Sequence, residues 1–296
     1  MIIVTLTGGL GNQLFQYAVA KKLALKIGTT LKLFKNNISN ETGRSYKLSY
    51  YNINEVFATE QEVENLIGDY YSSSLRAKLY KKIDQYRPKH KRKYFQEEEY
   101  YVYEPELMKI NSTVLLEGFW QNYRYFENLP LQIYNAVNLK DEYKDSFLNF
   151  LNDIEEDDCS VSIHIRRADY VSDPYNYSFF GVIPLEYYNR AIDYIKNKIK
   201  AANFYIFSDD LNWARENLKI DAPITFVEIN GGTKDFAELE AMSKCRHNII
   251  ANSSFSWWGA FLNKNPDRIV IVPKQWVADN DMNKKIEIQM PSWIRM

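Results

Sequence analysis

Four short stretches of this 296-residue chain combine side chains able to hold an anion or move a proton. They are His164-Ile-Arg-Arg-Ala-Asp169, Ser208-Asp209-Asp210, Asn252-Ser-Ser-Phe-Ser256 and the glycine turn Gly8-Gly-Leu-Gly-Asn-Gln13. Arginine donates through a planar fork and keeps its charge in a dry cleft, so Arg166 and Arg167 suit phosphate. A strand-end Arg-Arg pair also serves as a salt-bridge element. Neighbouring strand residues point to opposite faces. If His164 faces a site, Arg166 shares its side, and Arg167 is the structural one, paired with Asp169 or another acid.

Asn252, Ser253, Ser254, Phe255 and Ser256 stand where a helix begins, and they offer hydroxyls and N–H groups to an anion. A plain serine N-cap is the alternative. Trp257-Trp258-Gly259 after them reads as packing. Asp209 and Asp210 could bind a metal or a ribose hydroxyl, or open a helix whose dipole favours acids. Asp235 and Glu238, three apart on an expected helix, share a face and could accept from a base or ribose or simply be solvated. The Asp-x-Asp spacing at Asp279-Asn280-Asp281 lies in a polar tail, so no obligatory metal is expected. Cys159, Cys245 and the three histidines are scattered without zinc-type spacing.

The glycine turn follows the apolar run Ile2-Ile3-Val4 and precedes helical spacing through Leu14, Tyr17, Ala18, Leu23 and Leu25. A P-loop requires Lys and then Ser or Thr where this chain has Asn12-Gln13. The dinucleotide fingerprint keeps Gly9-x-Gly11 but meets Leu14 where its third glycine belongs. The turn therefore either aims N–H groups at an anion or is a tight βα turn that uses the positive φ open to glycine.

Elements that would position these residues are clearest in the second half. Apolar runs at Val161–Ile165, Phe204–Phe207, Ile224–Val227, Asn248–Ala251 and Ile269–Val272 alternate with helical patterns at Pro184–Lys200, Leu211–Leu218, Asp235–Lys244 and Trp257–Asn263. This alternation predicts a doubly wound parallel sheet, whose ligands bind beyond the carboxyl ends of its strands. The polar stretches, with Asn230-Gly231-Gly232, lie at those ends. The first half is less regular and rich in tyrosine and asparagine, with a strand expected at Val114–Leu116. Phe147–Leu151 reads as the end of a helix and Asn152–Asp158 as an acidic connector, which divides the chain into an N-terminal α/β part at 1–152 and a Rossmann-like part at 153–296.

At 46% apolar and 25% charged the composition is globular, and a net charge of −1 gives no general attraction to nucleic acid. The chain carries no apolar run of about 18 residues and no signal-type start, so a cytoplasmic protein is expected. One local charge feature stands out. From Arg76 to Lys93 nine basic residues face Asp84 alone, either as a solvated face or as a patch for anionic lipid or glycan carrier at the inner membrane.

The three strand-end motifs, together with Gly8-Gly-Leu-Gly-Asn-Gln-Leu-Phe-Gln-Tyr-Ala18 and the run to Gly259, resemble the bacterial α-1,2-fucosyltransferases of glycosyltransferase family 11, from residue 5 to around residue 275. The first motif is also similar to that of α-1,6- and protein O-fucosyltransferases. The resemblance implies a GT-B-like architecture and inverting transfer of L-fucose from GDP-fucose to the 2-hydroxyl of a terminal β-galactoside. It implies no required metal or further cofactor, and a product in surface polysaccharide such as O-antigen or capsule.

By the same resemblance Arg166 meets the β-phosphate of the leaving GDP and His164 helps hold the nucleotide. Asn252 to Ser256 take phosphate oxygens, and Asn12 reaches the fucose or its phosphate from a turn of Gly9, Gly11 and Gln13. Ser208, Asp209, Asp235 and Glu238 complete the expected donor site. Asp169 is the first choice of general base, with Asp173 its rival, and Asp173 and Phe180 depart from the asparagine and histidine common there in the family. A different linkage, or a sugar-nucleotide-binding module without turnover, are the alternatives.

Overall fold

The structure is a computed structural model that describes residues 1–35, 45–68, 75–229 and 235–296. Asn230-Gly231-Gly232 lies outside the described residues. The chain divides into two compact units, Met1–Asn138 and Leu139–Met296.

The first unit contains β1 (Ile2–Thr5), α1 (Leu10–Lys26), β2 (Leu31–Phe34), α2 (Glu60–Ile67), α3 (Leu75–Gln85), β3 (Tyr94–Gln96), β4 (Val114–Glu117) and α4 (Leu131–Ala136). Its strands form one parallel sheet in the order β2-β1-β4-β3. β1 is buried on both faces, as an interior parallel strand must be, so it reads as an unbroken apolar run. α2 begins where its sequence says it should. Thr59 accepts from the Glu62 N–H and Glu62 reaches back to the Thr59 N–H, and Gly68 with φ 61 ends the helix. Val63 and Ile67 on its inner face pack with Ile3, Tyr94 and Leu115.

The second unit contains α5 (Leu148–Glu156), β5 (Ser160–Ile165), α6 (Ala168–Ser172), α7 (Pro174–Phe180), α8 (Leu185–Lys198), β6 (Asn203–Ser208), α9 (Leu211–Asn217), β7 (Ile224–Phe226), α10 (Asp235–Lys244), β8 (His247–Ile249), α11 (Ser254–Leu262), β9 (Val270–Val272), α12 (Asn280–Asn283) and β10 (Ile294–Arg295). The sheet order is β10-β9-β8-β5-β6-β7, all parallel. Counted within the unit this is the doubly wound order 3-2-1-4-5-6, whose direction reverses between β5 and β8. The expected α/β class and parallel sheet are what the chain forms.

The division between the units falls after Asn138, ahead of the expected boundary at 152. Residues 148–156 are one helix, α5, where a helix end and a connector were expected. Its buried Leu151 and Ile154 face inward, and α5 packs against α10, so it belongs to the second sheet's layer. Among the described residues no helix is long and apolar enough to cross a membrane.

The core of the second unit is built from Val161, Ile163 and Ile165 of β5, Phe204 and Ile206 of β6, and Tyr188, Ala191 and Ile195 of α8. Tyr187 of α8 is also buried, and its hydroxyl hydrogen is shared between the carbonyls of Ile250 (2.7 Å) and Ile271 (3.0 Å). These oxygens end β8 and lie within β9, so one phenol ties two strand ends near the reversal point. Tyr187→Phe should lower unfolding free energy by about 1–2 kcal/mol, because two buried carbonyls lose a donor. Urea denaturation of the two proteins measures this.

Candidate functional site

At the reversal point of the second sheet the residues after β5 and β8 meet. His164 pairs in register with Phe207 and Ile165 with Ser208, so Arg166 emerges beside Asp209. Its guanidinium lies 3.0 Å from an Asp209 oxygen and 2.7 Å from an Asp169 oxygen. Burial works against its charge, but the carboxylates of Asp209 and Asp169 outweigh burial and hold the pKa above the ordinary arginine value. Tyr170 lies under it with its ring centre 5.5 Å away, and the Tyr170 hydroxyl donates to the Asn252 carbonyl at 3.2 Å. The arrangement is a permanent cation, aimed and partly dried, at the place where this topology receives ligands.

Arg167, which like Arg166 lies just past the end of β5, turns toward α9. Its guanidinium lies 4.0 Å over the ring of Trp213 and 3.6 Å from Asp210, on α9 and its cap. The acid it pairs with is Asp210, while Asp169 serves Arg166 from the same helical turn. Asp209 also accepts the Arg167 backbone N–H at 2.8 Å, and the Ser208 hydroxyl accepts the Asp210 N–H at 3.0 Å. Asp210 itself caps α9 through the Trp213 N–H. The two aspartates are thus divided between the two arginines, not converged on a metal. Among the described residues no group of three or more His, Cys, Asp or Glu side chains could hold a metal ion.

Two buried polar atoms stand out near this cation. His164 is 4% exposed, its ring lies 5.5 Å from that of Phe255, and its Nδ1 has no hydrogen-bond partner among the described residues. Burial first, and the nearby Arg166 second, push its pKa down to about 3, so the imidazole is neutral. Asn252 donates to the carbonyls of Phe180 (3.0 Å) and Trp276 (3.1 Å), and its side-chain oxygen is left buried and unpartnered. A buried polar group without a partner costs about 1–3 kcal/mol.

The serine turn splits in two. Ser253 caps α11 by accepting the Phe255 N–H at 3.3 Å, and the buried Ser256 hydroxyl is directed at the carbonyls of Ser253 and Ala251. Both hydroxyls thus also have partners within the turn. Ser254 and Phe255 are the half-buried members of the turn, so these two face outward with the first N–H groups of the helix. Trp257 and Trp258 are fully buried, and Trp257 donates to the Ile288 carbonyl, in keeping with a packing role. Asp173 caps α7 through the Asn176 N–H at 2.9 Å.

The glycine turn belongs to the first unit. Gly8 has φ 77, and a Cβ there would collide with the Asn12 side-chain amide. Gln13 is fully buried; its amide donates to the carbonyls of Gly8 (2.9 Å) and Ser45 (3.0 Å) and accepts the Lys47 N–H (3.0 Å). Its expected role as a ligand-binding side chain gives way to one as a staple of the turn, because its amide is taken by backbone. Asn12 accepts from Gln121 at 2.8 Å, which fixes which end of each amide faces which way. Gly9 and Gly11 open α1 with backbone close to this pair.

Three residues here escaped sequence reading. Gln16, fully buried, joins the ends of β1 and β4 by accepting the Thr7 N–H and donating to the Gly118 carbonyl, both at 3.0 Å. Glu97 accepts the N–H groups of Phe119 (2.6 Å) and Trp120 (3.1 Å), and burial pushes its pKa up to about 7. It holds Trp120 at φ 57, an unusual value for a bulky residue, and so places the neighbouring Gln121. Gln13 and Gln16, three apart on α1 and both fully buried, gave no sign of that burial in the sequence.

The profile of Glycosyl transferase family 11 matches residues 1–296. The chain is similar to the O-antigen biosynthesis glycosyltransferase WbnK of Escherichia coli, 30% identical over 307 residues that cover 98% of this chain and 99% of that protein. An alpha-1,2-colitosyltransferase of Escherichia coli is 31% identical over 309 residues, covering 100% and 99%. A galactoside alpha-(1,2)-fucosyltransferase 2 of Bos taurus is 27% identical over 157 residues, 50% of this chain and 45% of that one. Among solved structures, NodZ alpha-1,6-fucosyltransferase co-crystallized with GDP aligns with a TM-score of 0.50 at 13% identity, over 88% and 92% of the chains. That likeness concerns the fold, which is α/β and GT-B-like.

α10 adds the last acidic groups. Glu238 is half-buried, and burial, then Asp235 and Asp209, push its pKa up to about 7 from an ordinary 4.5. The folded state thus keeps a proton that the unfolded chain has lost. Its stabilising effect is complete below pH 4.5 and disappears as pH rises through about 7. Glu238→Gln should therefore leave stability near pH 4.5 almost unchanged and raise it at pH 8 by on the order of 1–3 kcal/mol. Urea midpoints at the two pH values test the sign.

Proposed function

The chain belongs to glycosyl transferase family 11, and from that premise we propose an inverting, metal-independent galactoside α-1,2-fucosyltransferase. Its donor is GDP-fucose, and its acceptor is the 2-hydroxyl of a terminal β-galactose in a surface polysaccharide of the O-antigen kind. The observation that carries this reading is Arg166 at the β5/β8 reversal, held charged by Asp209 and Asp169 and flanked by unpartnered atoms of His164 and Asn252. The same reading puts the protein in the cytoplasm at the inner face of the membrane.

The acceptor oxygen attacks the anomeric carbon of fucose from the face opposite GDP. The bond from that carbon to the phosphate oxygen breaks, its electron pair leaves with GDP, and the hydroxyl proton passes to a base. Negative charge grows on the departing diphosphate, and a preformed cation with helix N–H groups stabilises it without first reorganising. Arg166 takes the β-phosphate, the N-terminal N–H groups of α11 near Ser254 take further oxygens, and neutral His164 and Asn252 complete the nucleotide's hydrogen bonds. Asp235 and Glu238 accept from the ribose or base, and Asn12 serves the sugar side.

Asp169 and Asp173 are the two base candidates by position, and each has a second duty, to Arg166 and to the α7 cap. The substitutions separate these duties. Asn at the base removes the ionisation that limits kcat at low pH, whereas Asp169→Asn acting only through Arg166 weakens GDP binding and leaves the pH profile in place.

A second reading keeps the linkage and changes the sugar. The full-length relative that is an alpha-1,2-colitosyltransferase favours a colitosyl donor. GDP release from GDP-fucose, with and without lactose and with EDTA throughout, followed by linkage analysis, decides between them. Lactose-dependent release giving an α-1,2 product supports fucose; GDP binding without transfer from GDP-fucose favours the other sugar. Arg166→Ala should lower kcat by about 10²–10³ and weaken GDP binding. Arg167→Ala should act on stability, and equal activity of two equally folded variants would overturn the assignment.

A further inference from the structure

α3 carries Leu75, Leu79 and Ile83 at four-residue spacing, which places them on one face. They are 85, 60 and 52% exposed, and Tyr86, just past the helix, is 82% exposed. Side chains of this kind gain about 1.5–3 kcal/mol each when fully buried, so a stripe of them in water is a binding surface in want of an occupant. The helix is held to the unit from its other side. Asp84 is buried there, and Arg92 donates to the carbonyls of Gln85 (2.9 Å) and Arg87 (3.2 Å).

Charge identifies the occupant. Lys78 and Lys82 are exposed beside the stripe, and the sequence of the same helix adds Arg76 and Lys81, with Asp84 its one acid. The later part of the basic run is already engaged: Arg87 with Asp84, Lys89 with Glu98 and Glu104, and His90 with Glu106. The exposed Lys78 and Lys82 thus stand beside the apolar stripe, and Lys91 and Lys93 beyond the helix are exposed as well. A second copy of this chain would set lysines against lysines along a shared stripe. An anionic bilayer surface offers both an apolar layer and phosphates above it.

We propose that α3 lies in the headgroup plane of an anionic membrane, with Leu75, Leu79 and Ile83 dipped into the acyl boundary and Lys78 and Lys82 among the phosphates. At 11 residues it is about 16 Å long, which suits a helix lying in the interface. Tyr86 sits at its end as an amphipathic ring does at such a boundary. The inference is independent of which sugar the protein transfers.

The full chain is sedimented with phosphatidylglycerol/phosphatidylcholine vesicles and with phosphatidylcholine alone at 50 mM salt. The bound fraction should be at least about tenfold greater with phosphatidylglycerol and fall to the neutral level near 0.5 M salt. Leu79→Glu with Ile83→Glu, and separately Lys78→Glu with Lys82→Glu, should each reduce binding by about tenfold. These side chains are exposed, and an unchanged thermal midpoint and GDP titration confirm that each variant is folded. Sedimentation insensitive to the leucine and isoleucine changes, or none with phosphatidylglycerol, overturns the proposal. So does a dimer in light scattering that Leu79→Glu with Ile83→Glu dissolves.

Discussion

A guanidinium held partly out of water needs anions fixed around it, and the organisation of the second unit follows from that constraint. Arg166 is kept charged against burial by Asp209 and Asp169 and aimed by both. Those acids have to come from two different elements, the end of β6 and the first turn of α6. Only a parallel sheet brings several strand ends to one edge in this way, and only at the reversal between β5 and β8 do neighbouring loops part to leave room for a ligand. The expensive feature of the site, a partly dried ion pair network, is thus located where the topology is open.

The first unit solves a different problem with neutral groups. The loops after β1 and β4 are held in part by buried amide side chains. Gln13 ties the glycine turn to the segment at 45–47, and Gln16 ties it to Gly118. Glu97 fixes Phe119 and Trp120, and Gln121 then orients Asn12. Amides bring direction without charge, and they spare the sheet edge a fixed anion beside its glycine turn. Glu97, with its pKa raised to about 7, is the exception that remains poised between the two states.

Periodicity exposed much of this. The strands of the second unit from β5 to β9 were each readable as apolar runs, most plainly β5, β8 and β9, which are buried on both faces. The strand-end rule then pointed to the loops that carry Arg166, Asp209 and Asn252. Other features were hidden for identifiable reasons. β10 has two residues, too few to show a period, and α5 carries an acidic run that reads as a connector. The partners of Asp169, Gln13 and Ser256 depend on which loop comes to lie across which turn. A buried Gln on α1 looks, in sequence, like any polar helix residue. Composition could not show that Lys89 of the basic run is paired with Glu98 and Glu104, and Arg87 with Asp84.

Unpaired buried atoms also bear on stability. His164 Nδ1 and Asn252 Oδ1 each forgo a hydrogen bond, and Glu238 is crowded by Asp235 and Asp209. Each such feature costs the free protein on the order of 1–3 kcal/mol, set against a total stability of only about 5–15 kcal/mol for a typical domain. A ligand that supplies the missing partners returns part of that energy to the folded state alone, so binding and stability are linked through the same atoms. The arginine differs in kind. Its charge is already balanced by two carboxylates, so an incoming phosphate must compete with them, and the gain on binding is smaller than a bare guanidinium would give. On the reaction proposed above, the gain in the transition state would not be reduced in proportion, because charge on the leaving diphosphate increases only as the bond breaks. A pre-paired arginine would then favour the departing anion over the bound donor, which is the difference that accelerates a reaction instead of merely tightening a complex.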